Sequence, residues 1–178
     1  MKYMIFTTKH HDGFCLFDSR YTNFSLAQAG PFKGNPKADA AKFVFEAFRA
    51  QDFMVGAYFS KPDWHCEGFW NPYYATPNRH INYKVEMHPD WWQQYVSYTR
   101  NQLQELTGGR YGKLDILWLD GGWIAGDEVE LPEILPEARR VSPGLLCVDR
   151  TIGGPNENYQ TPEQSVPARQ ISHPWESC

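Results

Sequence analysis

The feature that most constrains this chain is a theme repeated along it: a short apolar run of strand period, a polar loop, then a stretch of helical period. Lys2 to Thr8, Phe53 to Ser60, Leu114 to Leu119 and Leu145 to Asp149 read as strands. Between the first two, Asn35-Pro36 has the form of an N-cap with proline at the first helical position. Ala40, Phe43, Val44, Ala47 and Phe48 then supply an apolar face at 3.6 spacing. A second helix is expected from Asp90 to Leu106, through Trp92, Tyr95, Val96, Thr99, Leu103 and Leu106, stopped by Gly108-Gly109. A third lies between Leu131 and Val141, where Pro132 and Pro136 leave its extent open.

Strands alternating with helices predict an α/β fold with a parallel sheet and right-handed crossovers. Four βα units are half of a closed (β/α)8 barrel, which typically takes about 250 residues. At 178 residues the expectation is one α/β domain spanning residues 1–178, a partial TIM-like barrel. The chain opens inside a strand and closes without a helix, so it reads as a piece of a larger barrel.

The third strand carries the most informative end: Leu114-Asp115-Ile116-Leu117-Trp118-Leu119-Asp120-Gly121-Gly122. Strand side chains alternate, so Leu114, Ile116, Trp118 and Asp120 are expected on one face. That puts a carboxylate backed by an indole at the carboxyl end of a strand, where α/β folds site their chemistry. The competing reading is an Asp that caps the following helix. The other strand ends also carry polar groups: His10 and His11 after the first, Tyr58 and Ser60 on the second, Arg150 after the fourth. Consecutive βα loops would gather them on one rim.

Adjacent residues in extended chain point apart, so His10 and His11 are poorly placed to chelate one ion together and better suited to hydrogen-bond ligand hydroxyls. The blander alternative is one histidine facing solvent and one satisfied in the core. Glycoside hydrolysis needs two carboxyl groups. Asp120 offers one; Glu157, Glu163 and Glu176 in the irregular tail are candidates for the other, and spacing does not choose among them. Arg150 would favour an ionised neighbour, which suits a nucleophile.

Other classes are disfavoured. The net charge of −4, without a Lys/Arg cluster, argues against nucleic acid as a partner. No apolar run approaches membrane-spanning length, and the first residues lead into a strand rather than a signal peptide. Cys15, Cys66, Cys147 and Cys178 have no metal-ligand spacing and leave the compartment open. There is no nucleophile elbow, P-loop or dinucleotide fingerprint, and no cofactor is expected. Aromatics make 16% of the residues, an excess that suits sugar stacking or simply a bulky core.

Together these residues resemble the α-L-fucosidases of glycoside hydrolase family 29. Thr7 to Ser19 is similar to the family's TTKHHDGF block and its F-D-S continuation; Gly56 to Ser60 to its G-x-Y-Y-S strand; Trp118 to Gly121 to its W-x-D-G strand. Val148-Asp149-Arg150 resembles the N-D-R strand end, with Val in place of Asn. Thr161 to Gln164 and Trp175 to Cys178 resemble the T-P-E-x and W-E-x-C segments.

The resemblance implies a retaining exo-hydrolase of terminal α-L-fucosyl units on fucosylated oligosaccharides or glycoconjugates. Asp120 would be the nucleophile and Glu163 the acid/base, with Glu176 the runner-up. His10, His11, Tyr58, Trp64, Trp118, Arg150 and Glu176 would line the sugar site, with no metal among the requirements. The family's opening strand, with G-x-F-x-H-W-G, and its later strands and β-sandwich have no counterpart here. The alternative is therefore an inactive fucose-binding remnant. From a different class comes a metal-dependent hydrolase using His10, His11 and Asp120, which would lose activity to a chelator.

Overall fold

The computed structural model describes residues 2–74, 80–150 and 154–177; Met1, Gly153 and Cys178 lie outside them. Four strands, β1 (Tyr3–Lys9), β2 (Met54–Ser60), β3 (Ile116–Asp120) and β4 (Leu146–Asp149), form one parallel sheet in the order β1-β2-β3-β4. Helices α1 (Ala40–Arg49), α2 (Pro89–Thr107) and α3 (Leu131–Val141) connect them in turn. The α/β alternation read from the sequence is the observed architecture, an arc of parallel sheet with helices along its outer side.

The pleat assigns each strand residue to a face. Val55, Ala57, Phe59, Leu117, Leu119 and Cys147 point outward and are buried with Phe45, Leu103, Leu106, Ile134 and Leu135 of the helices. The inner face carries Ile116, Trp118 and Val148, flanked by Ile5, Tyr58, Leu146 and Tyr159. Register aligns Thr7 with Tyr58, Tyr58 with Trp118 and Trp118 with Val148, so these four lie in one row across the sheet. Leu114 departs from the expected alternation. It precedes the strand and is buried in the outer, helix-side layer, its amide donating to Ser142 Oγ at 3.1 Å.

The first helix starts later than Asn35-Pro36 suggests. Asn35 closes a local turn, accepting from the Lys37 amide at 2.8 Å. The cap is Asp39, whose carboxylate accepts from the Lys42 amide. The buried stripe of α1 is correspondingly rotated: Ala41 and Phe45 are buried, whereas Phe43 and Phe48 stand exposed. α2 begins with Pro89 in its first turn and ends at Gly108. α3 is one continuous helix of 11 residues. Pro132 lies in its first turn, where no amide partner is required, whereas Pro136 lies inside the helix and lacks the amide that would donate to the Pro132 carbonyl.

Described residues of the long segment after β2 pack into an aromatic cluster. Phe69, Tyr95, Val96, Ile124 and Val129 are buried together, with Trp64, Trp70, Trp92 and Trp123 packed against them. The tail from Gly154 to Ser177 has neither helix nor named strand and runs back across the inner face. It is held by the Asn158 amide donating to the Cys147 carbonyl at 2.8 Å and by pairing of Gln160 with Trp175.

Candidate active site

Asp120 is the last residue of β3 and lies on the inner face, two residues beyond Trp118. Its register partner is Ser60, the last residue of β2. Chain direction must reverse immediately after Asp120, and Gly121 provides this with φ of +83°. A Cβ there would lie 2.2 Å from Pro62 Cδ, so the position excludes any larger residue both by conformation and by space.

Four groups converge on the Asp120 carboxylate. Tyr58 donates its phenolic hydrogen to Oδ2 at 2.5 Å, and the Gly121 amide donates to Oδ1 at 2.8 Å. Arg150 Nη1 lies 3.5 Å from Oδ1, and His11 Nε2 lies 3.8 Å from Oδ2. Burial pushes the carboxyl upward. The Tyr58 and Gly121 hydrogen bonds, with the nearby Arg150 and His11, outweigh it and hold the pKa below the ordinary carboxylate value. Burial and the Asp120 charge raise the pKa of the Tyr58 phenol, which therefore stays a donor at neutral pH.

The ring environment is built around these groups. Tyr58 stacks on Trp118 with centroids 5.4 Å apart, and His10 stacks on the other side at 5.7 Å. The Arg150 guanidinium lies over Trp118 at 5.1 Å. His11 is 7% exposed, tilted against Trp64 at 5.4 Å and meeting Trp123 edge-on at 5.2 Å.

The histidine pair differs from its expected geometry. β1 ends at Lys9, and the chain turns at once, the Gly13 amide donating to the His10 carbonyl. In a turn, neighbouring side chains need not diverge, and the two imidazoles sit 4.4 Å apart. One ligand atom from each of His10, His11 and Asp120 falls within 4.8 Å of the others.

The two tail glutamates occupy different places. Glu163 is two-thirds exposed and pairs with Arg150 Nη2 at 3.1 Å, so one guanidinium bridges it to Asp120. Glu176 lies below the row of aromatics. It accepts from Trp118 Nε1 at 2.7 Å, from the Tyr3 hydroxyl at 2.7 Å and from the Tyr159 hydroxyl at 3.4 Å. The Tyr3 and Trp118 donors tie the tail to the sheet, and Tyr159 adds a bond within the tail itself. Glu157 instead caps the turn at Gly154, accepting from its amide at 3.2 Å.

Several contributors escaped the sequence reading. Trp123, three residues after Asp120, packs on both His11 and His80; an aromatic just beyond a strand-end carboxylate was the available signal. Two ion pairs on the outer side of the rim were also missed. Lys9 and Asp63 are both fully buried and meet at 2.8 Å, and Lys61 pairs with buried Asp149. Each pair links a strand end to a neighbouring loop or strand end, and each flanks a site residue in sequence, His10 or Arg150. The thiols play no such part: burial pushes Cys15 and Cys147 up to about 12 and Cys66 to about 11, far from a reactive thiolate.

Comparison with known proteins adds the family. The alpha-L-fucosidase family model matches residues 1–178. Plasma alpha-L-fucosidase of Homo sapiens is 27% identical over 187 residues, covering 99% of this chain and 36% of that protein. Among solved structures, alpha-L-fucosidase isoenzyme 1 from Paenibacillus thiaminolyticus superposes with a TM-score of 0.78 at 30% identity, covering all of this chain and 45% of that one. An alpha-L-fucosidase from Lactobacillus casei, in complex with alpha-L-fucose product, shares the fold with a TM-score of 0.71 at 22% identity, covering 99% of this chain and 55% of that one. The chain spans 20–36% of the length of the curated relatives it matches.

Proposed function

The chain belongs to the alpha-L-fucosidase family of glycoside hydrolases, and from that premise we propose that it carries the catalytic rim of a retaining exo-α-L-fucosidase, as a single α/β domain forming part of the barrel. The observation that carries this reading is the environment of Asp120: a strand-end carboxylate kept ionised by Tyr58, the Gly121 amide, Arg150 and His11. An ionised carboxylate is the form that attacks an anomeric carbon.

In this mechanism a terminal α-L-fucosyl unit stacks its apolar side on Trp64, since Trp118 is 5% exposed and covered by Tyr58 and the Arg150 guanidinium, and its hydroxyls hydrogen-bond to His10 and His11. Asp120 attacks the anomeric carbon and forms a covalent fucosyl-enzyme as the glycosidic bond breaks. Glu163, at the open edge of the rim, gives its proton to the departing oxygen and then takes one from the incoming water. Arg150 stands between the two carboxyl groups. Glu163 is favoured over Glu176 because Glu176 already accepts hydrogen bonds from Tyr3, Trp118 and Tyr159, contacts that give it a structural role, whereas Glu163 stands exposed beside Arg150. The substrate class is fucosylated oligosaccharides or glycoconjugates.

The test is release of 4-nitrophenol from an aryl α-L-fucopyranoside by the chain and by Asp120→Ala, both checked for folding by circular dichroism. Turnover abolished in Asp120→Ala supports the reading. A folded chain that binds L-fucose without turnover supports the alternative, an inactive fucose-binding remnant of the same barrel.

A further inference from the structure

The convergence of His10, His11 and Asp120 has a consequence beyond sugar binding. One donor atom from each lies within 4.8 Å of the other two, with His11 Nε2 and Asp120 Oδ2 at 3.8 Å. In a tetrahedral site with ligands about 2.0–2.2 Å from the ion, donor atoms are separated by roughly 3.3 Å. The three donors therefore need to close by about an ångström or less on average, and His10, being exposed, has the side-chain freedom to supply it.

His11 is oriented, and as a neutral ring tautomerically set, as such a site requires. The Ser60 hydroxyl donates to the Pro62 carbonyl at 2.9 Å, and a carbonyl has no hydrogen to return. Ser60 Oγ must then accept from His11 Nδ1, its other partner. The proton of neutral His11 is thereby placed on Nδ1, and the lone pair on Nε2, the nitrogen that faces Asp120. An imidazole braced through one nitrogen and presenting the other is the arrangement found around metal-bound histidines. Tyr58 gives the carboxylate a similar outer partner.

We propose that His10, His11 and Asp120 form a site for a borderline divalent transition-metal ion of the zinc class. Two imidazoles and one carboxylate select zinc and copper over magnesium and calcium, which favour all-oxygen shells. Three protein ligands leave the fourth position to water. Arg150 stands on the opposite oxygen, Oδ1, so its charge lowers the affinity without obstructing the ion. Binding of the ion does not depend on the fucosidase reading; its effect does. On that reading the ion occupies the nucleophile and the hydroxyl acceptors, so it competes with sugar and inhibits, and a chelator restores activity. A metal-dependent hydrolase would respond in the opposite sense.

The experiment is calorimetric titration of the chain with ZnCl2, and with MgCl2 as control, alongside His10→Ala and Asp120→Asn confirmed as folded. The expected result is one equivalent of Zn2+, weakened at least tenfold by each substitution, with no magnesium binding. CoCl2 provides a check that needs no variant: imidazole ligation intensifies and shifts its visible absorption. Absence of one-to-one Zn2+ binding, unchanged binding in both variants, or an unperturbed Co2+ spectrum would overturn the proposal. Excess L-fucose is expected to weaken Zn2+ binding. Zn2+ binding that depends on both residues yet ignores L-fucose would uphold the metal site and count against the sugar reading alone.

Discussion

Tyr58 and Asp120 sit on adjacent strands, two residues out of register and so on the same face, and the Tyr58 hydroxyl donates to the Asp120 carboxylate across 2.5 Å. A phenol at this position does two things. It supplies a charge-assisted hydrogen bond that favours the ionised carboxylate, and its ring, stacked on Trp118, fixes the angle of that bond. A carboxylate held in this way is ionised and oriented before any ligand arrives.

Replacing Tyr58 by Phe keeps the stacking and removes the hydrogen bond. A bond to a charged group favours the ionised form, so its loss raises the Asp120 pKa. Activity that needs the carboxylate is lost as pH falls through its pKa, so the acidic limb of the pH–rate profile moves to higher pH. Aryl fucoside hydrolysis measured across pH for both proteins checks this; an unmoved limb would mean that Tyr58 does not set the ionisation.

Gly121→Ala is expected to destabilise the fold by about 3 kcal/mol or more. It combines a left-handed backbone, which costs a residue with a side chain about 1–3 kcal/mol, with a Cβ that collides with the Pro62 ring. Urea denaturation followed by circular dichroism reads the loss. A change below about 1 kcal/mol would show that the turn can re-form around a side chain.

Asp63→Ala leaves Lys9 buried and unpaired, and also strips acceptors from the His65 and Cys66 amides. Breaking a buried pair in this way costs about 3–5 kcal/mol. In the intact protein burial acts to raise the Asp63 pKa, but Lys9 and the two amides more than reverse it, and the net shift is downward. A lowered folded-state pKa adds stability that is present above the ordinary value of 3.8 and is lost as pH falls through the lowered one. Denaturation midpoints for wild type are therefore expected to fall below about pH 4, and the Asp63→Ala protein to show a flatter acid dependence there.

The two tail glutamates separate by chemistry. Glu163→Gln is expected to lower turnover of a substrate with a poor leaving group by about 100- to 10,000-fold while leaving the melting temperature near wild type, because Glu163 lies at the exposed edge. Glu176→Gln replaces one of the two accepting oxygens with an amide donor, so the bonds from Tyr3 or from Trp118 and Tyr159 are lost and its main effect is on stability. Paired measurements of turnover and melting temperature distinguish them, and the reverse pattern would exchange the two roles.

The strand ends explain why part of the site was legible in the chain. Alternation along β3 is a local property of extended backbone, so Ile116, Trp118 and Asp120 could be placed on one face without knowing what surrounds them. The order of strands and helices followed from hydrophobic period in the same way. Where a local signal was ambiguous, reading it failed. Asn35-Pro36 has the composition of a helix start and makes a turn, while Asp39 supplies the cap. The α1 face was misjudged because several of its apolar residues, Phe43 and Phe48 among them, are exposed.

By itself, then, the sequence determined the parallel α/β arrangement and the carboxylate at the end of β3, since both rest on periodicities of a few residues. Only the tertiary structure decided how that carboxylate is held. The Lys61–Asp149 pair joins residues 88 positions apart, Tyr58 reaches Asp120 across 62, and His11 meets Ser60 across 49. Even the two adjacent histidines converge only because the chain turns after Lys9 and the neighbouring strand presents Ser60 beneath them. Such contacts depend on sheet register and loop packing, which bring together side chains whose separation along the chain carries no trace of their distance in space.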